Sequence, residues 1–83
     1  MRPGDPNVSL GALRRAIDGV DEALANLIAC RVCLSHQAQE LKVRAGLPVV
    51  DATRELEIQH RYEQRWRGSS SVARAILRLC RED

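Results

Sequence analysis

The chain has 83 residues, an apolar fraction that is almost all aliphatic, no Phe, and a formal net charge of +2 with acidic and basic residues interspersed. That length sets one domain as the ceiling, and so small a domain is marginal on its own core. The mild, mixed charge argues against a nucleic-acid binder, and no stretch approaches the length of a membrane span.

Residues 1–8 read as a loose arm, with Pro3, Gly4 and Pro6 as breakers. No apolar signal-peptide core is visible, so a cytoplasmic protein is expected, with Cys30, Cys33 and Cys80 as free thiols. Cys30-Arg31-Val32-Cys33 fits a C-x-x-C pattern, but no second pair stands at ligand spacing. Buried helix thiols are expected there, and no metal site.

Ser9 is an N-cap for a long first helix that runs to about Arg44 or Ala45, roughly 50 Å. Gly46 and Pro48 stop it. Asp51 caps a second helix that reaches about Trp66, with Ile58, Tyr62 and Trp66 on one stripe as core anchors. Arg67-Gly68-Ser69-Ser70-Ser71 is a break. A third helix starts near Ser71 with Val72, Ala73, Ile76, Leu77 and Cys80 as its apolar face. The expected fold is all-α, one long helix and two shorter ones, in a single domain over residues 9–83.

On the first helix Leu10, Leu13, Ile17, Val20, Leu24, Leu27, Arg31, Leu34, Ala38 and Leu41 recur at steps of three and four. This is one sustained apolar seam, too long for the rest of the chain to cover. Arg31 stands where a leucine belongs. A guanidinium there must be paired, hydrogen-bonded or wet. Lys42 lies three turns on, rotated by only about 20°. Two cations on one inner face point to an anionic ligand held between helices. Asp51 and Glu55 are neighbours on the second helix, which the turn at Gly46-Leu47-Pro48 brings back towards Lys42. Arg14 is about 100° around the axis from Arg31 and about 25 Å along it. One site does not easily use both from the same helix; a symmetric dimer with antiparallel long helices could, with Arg14 reaching the partner's site. His36 and His60 have no catalytic context.

The pattern Leu13-Arg14-x-x-Ile17-Asp18-x-x-Asp21, Leu27-x-x-x-Arg31, Lys42, Pro48-Val49-x-Asp51-x-x-Arg54-Glu55 closely resembles the AroQ-class chorismate mutases. The resemblance covers residues 10 to 62 well. The tail Ala75-Ile76-Leu77-Arg78-Leu79 and the short length are more loosely similar to the short actinobacterial mutases. It implies an intertwined helical homodimer with shared sites that rearranges chorismate to prephenate. For the short type it also implies docking onto DAHP synthase. Arg31 and the partner's Arg14 would grip the two carboxylates. Lys42 would donate to the ether oxygen that gains negative charge, Asp51 and Glu55 would lie near the ring hydroxyl, and Arg54 would support the carboxylate environment. Lys42, Arg31 and Glu55 are thus the expected catalytic residues. A one-substrate Claisen rearrangement needs a folded conformer and preorganised positive charge, with no cofactor.

The family's last helix supplies a serine and a glutamine, and the sequence ends at Asp83, before both positions. In their place it offers Arg81, expected to bind substrate. A slow enzyme completed by a partner is the corresponding expectation. Rearrangement of 4-amino-4-deoxychorismate, isochorismate pyruvate lyase activity on the same scaffold, a regulatory module and a plain dimerisation domain are the alternatives.

Overall fold

Three helices follow in chain order in the computed structural model, which describes residues 8–82: α1 (Leu10–Arg44), α2 (Ala52–Arg65) and α3 (Ser70–Glu82). All of the expected arm except Val8, and Asp83 at the other end, lie outside the described residues.

Local chemistry sets each boundary. Ser9 Oγ accepts from the Ala12 N–H at 3.1 Å and opens α1. At its far end the Leu47 N–H reaches Lys42 O at 2.8 Å and the Gly46 N–H reaches Val43 O at 3.1 Å. This Schellman pairing needs a left-handed residue, and Gly46 supplies it with φ 70°. Asp51 Oδ1 accepts from the Arg54 N–H at 3.0 Å and opens α2.

Trp66 ends α2 in an extended conformation, φ −156° and ψ 124°. The extended backbone takes its indole off the stripe that holds Ile58, and 67 % of Trp66 is exposed. Trp66 is therefore not the core anchor the periodicity implied; Ile58 is buried and Tyr62 half-buried. The third helix begins at Ser70, one residue before the expected start, because Glu63 on α2 reaches across the turn. Its carboxylate accepts from the Gly68 N–H at 2.8 Å and the Ser70 N–H at 3.0 Å. Ser69, buried in the same turn, donates to the carbonyl oxygens of Tyr62 and Trp66.

α3 packs against both other helices. Its face Ala73, Leu77 and Cys80 lies on the side of Ile58, and these four are the buried apolar residues among those described. α1 contributes none. Along it Leu10, Ile17, Val20, Leu24, Leu27, Leu34 and Leu41 each remain half or more exposed. The chain is a rod, 57 × 23 × 16 Å, with a radius of gyration of 16.9 Å. A compact chain of this length would measure about 12 Å. Cys30 and Cys33 are free and exposed, so only Cys80 of the three cysteines is a buried thiol. Cys30 and Cys33 flank Arg31 on α1, and it is Arg31, not either thiol, that meets α3 at Cys80.

Candidate active site

One cavity of about 310 Å³ lies where the three helices meet, at the small end of the range for metabolite sites. The second half of α1 brings Arg31 and Lys42 to it. The start of α2 brings Asp51, Arg54 and Glu55, and the last turn of α3 brings Arg81. Six of the seven charged residues singled out in the sequence thus line one pocket. Arg14 does not; it is exposed on the first turns of α1 and is not among the lining residues.

Each side chain is held by something specific. Arg31 Nη1 donates to Cys80 Sγ at 3.0 Å and to Ser35 Oγ at 3.5 Å. A guanidinium has five N–H groups, so donors remain for a ligand. Lys42 Nζ donates to Val49 O at 3.1 Å, which ties the lysine to the segment between α1 and α2 and leaves two of its N–H groups. Asp51 is both the cap of α2 and a wall of the pocket. Arg54 lines the pocket while its guanidinium stands 3.9 Å from Glu57, an exposed pair of small energetic weight. Glu55 is the more enclosed carboxylate. Arg81 Nε donates to its Oε2 at 2.9 Å and Nη2 to its Oε1, so the fork is bidentate.

The lining carries four cations, Arg31, Lys42, Arg54 and Arg81, and two carboxylates, Asp51 and Glu55. Such a surplus suits a dianion. Three lining residues were missed from the sequence: Ser35, Gln39 and Cys80. Gln39 Nε2 donates to Cys80 O at 3.2 Å, and the second hydrogen of that amide remains for the pocket. Gln39 stands on α1 one turn before Lys42, a spacing that places both on one face. That spacing was readable; nothing in a neutral glutamine among other polar residues marked it.

The arrangement suits binding and polarising a small polycarboxylate. Among the described residues no cluster of His, Cys, Asp or Glu is suited to a metal. The profile of the family described as chorismate mutase type II matches residues 13–82. The chain therefore belongs to the chorismate mutase type II family, and is an isomerase acting in aromatic amino acid biosynthesis. No curated protein and no solved structure matches it. No described helix is long and apolar enough to cross a membrane.

Proposed function

We propose that the pocket between the three helices is the chorismate site, and that it is completed by a second copy of the chain. The observation that carries this is the convergence of Arg31, Lys42, Asp51, Arg54, Glu55 and Arg81 on one small cavity. In this reading Arg31 grips one substrate carboxylate. Lys42 donates to the ether oxygen as the C–O bond breaks and the new C–C bond forms in the same step. No proton moves and no group leaves, so the residues act by position and charge alone. One preorganised donor at a developing oxyanion is worth about 10²–10³ in rate. Asp51 and Glu55 accept from the ring substituent, and Arg54 adds positive potential at the mouth.

The second copy is argued from α1. Seven large apolar side chains of its seam lie exposed, and each is worth about 1.5–3 kcal/mol if buried. An antiparallel α1–α1 pairing would cover that seam and carry the partner's Arg14 to the other carboxylate. DAHP synthase pressing on α3 would act on the site directly, since Cys80 and Arg81 in its last turns line the pocket. Free thiols without a disulfide fit the reducing cytoplasm.

Loss of chorismate ultraviolet absorbance, followed for the wild type and for mixed protomers, tests this. Arg14→Ala and Lys42→Ala homodimers should be inactive. After subunit exchange each heterodimer keeps one intact site, so roughly one quarter of wild-type activity should return. No recovery after verified exchange refutes the shared site, and sedimentation as an active monomer refutes the dimer.

Taken by themselves, the two carboxylates would suit the ring ammonium of the 4-amino analogue, the second reading; the Arg81 fork on Glu55 counts against it.

A further inference from the structure

We infer that Arg81 sets the substrate specificity of this pocket: by pairing with Glu55 it makes that end a reader of a ring hydroxyl and rejects a ring ammonium. The inference rests on the reading above, in which the substrate's carboxylates lie at Arg31 and Lys42 and its ring substituent at the start of α2.

Charge is divided across the cavity. Arg31 and Lys42 come from α1, and both carboxylates come from the start of α2 together with Arg54, whose guanidinium stands 3.9 Å from Glu57. A dianion takes the α1 side, so its remaining polar substituent falls to Asp51 and Glu55. Left alone, two carboxylates there would draw a cation. They are not left alone. Asp51 commits one oxygen to the Arg54 N–H at the helix cap and stands exposed to solvent. Glu55, with a side chain only 19 % exposed, meets Arg81 through both oxygens.

The fork cancels the charge of Glu55 without exhausting it as an acceptor. Each carboxylate oxygen has a second lone pair. A hydroxyl needs only that lone pair. An ammonium also needs net negative potential, and would stand close to the Arg81 guanidinium. The same contact thus leaves the hydroxyl its partner and repels the amine. Arg81 is a specificity-determining residue that acts through Glu55.

The test compares kcat/KM for chorismate and 4-amino-4-deoxychorismate in the wild type, Arg81→Gln, Arg81→Lys, Glu55→Gln and the Arg81→Gln/Glu55→Gln double variant. Arg81→Gln should move the ratio towards the amine by about tenfold, the size of effect one partly screened unit charge produces at this range. Arg81→Lys, which keeps the charge, should stay near the wild-type ratio. The double variant should lose the shift, because no uncompensated carboxylate remains. The shift should also shrink in high salt. A ratio unchanged in Arg81→Gln, or a shift that persists in the double variant, overturns the inference. If the wild type turns over neither compound, the mutase reading fails by itself. The ratio of dissociation constants for the same two compounds, from calorimetry, then decides the inference by the same criterion. Circular dichroism of each variant separates a lost helix from a changed preference.

Discussion

Arg31 and Cys80, forty-nine positions apart, meet at 3.0 Å, with the guanidinium Nη1 donating to the buried thiol sulfur. The carbonyl of the same cysteine accepts from Gln39 at 3.2 Å. One residue of α3 therefore takes two hydrogen bonds from the inner face of α1. The contact gives the seam arginine its partner and fixes where its remaining donors point. It also makes the last turns of α3 part of the pocket's support, so a change in this short helix reaches the cavity through Arg31.

Cys80→Ala should loosen Arg31. Its remaining partner is Ser35 at 3.5 Å, a long bond. A hydrogen bond to a charged group is worth about 1.5–3 kcal/mol, and sulfur is a weak acceptor, so about a tenfold fall in kcat/KM is expected. Cys80→Ser keeps an acceptor and should recover most of it. Steady-state kinetics of the two variants check this; equal losses would mean that packing, not the hydrogen bond, is what Cys80 supplies.

Arg31→Ala should be far worse, by two orders of magnitude or more in kcat/KM. The variant removes a charged donor from the pocket and leaves Cys80 Sγ without it. Arg31→Lys should recover little, because an ammonium cannot reproduce the planar fork. Near-normal turnover in Arg31→Ala would remove it from the site.

Much of this site was legible in the sequence because charge is conspicuous on an apolar stripe. Arg31 stood out against leucines, Lys42, Asp51 and Glu55 followed from helical spacing and a turn marked by Gly46 and Pro48, and Arg54 and Arg81 came with the family resemblance. The boundaries were legible for the same reason: Ser9, Asp51 and Gly46 are capping residues in capping positions. What escaped was set by tertiary contact. Gln39, Ser35 and Cys80 join the pocket because α3 lies against α1, and neutral side chains give no pattern of their own. The pairing of Arg81 with Glu55 likewise exists only once α3 has folded back to the start of α2. Trp66 misled because its spacing continued a stripe that the backbone leaves at that residue.

Two glycine substitutions should have opposite signs. Gly46 has φ 70° and nothing within 4 Å of where a Cβ would stand, so Gly46→Ala meets no clash and carries only the backbone penalty. That penalty is about 1–2 kcal/mol, and it falls on the turn that leads Lys42 to Val49. Gly19 sits mid-helix with nothing within 4 Å of an added Cβ. Gly19→Ala should stabilise by about 0.5–1 kcal/mol through helix propensity. Urea denaturation of both variants, at one protein concentration, measures the pair.

Acid should weaken the turn between α2 and α3 through Glu63. The Gly68 N–H, and after it the Ser70 N–H, bonds to the carboxylate and holds its pKa below the ordinary 4.5. A carboxylate with a depressed folded pKa favours the folded state fully above its unfolded value. That contribution is lost as the pH falls through the lowered folded value. Glu63→Gln retains one oxygen acceptor for two N–H groups. It should therefore melt below the wild type at neutral pH, and the gap between the two should close in acid, below the ordinary value of 4.5. Thermal unfolding of both proteins across that range checks it. A gap that stays constant with pH would show that the Glu63 carboxylate charge contributes nothing to the turn.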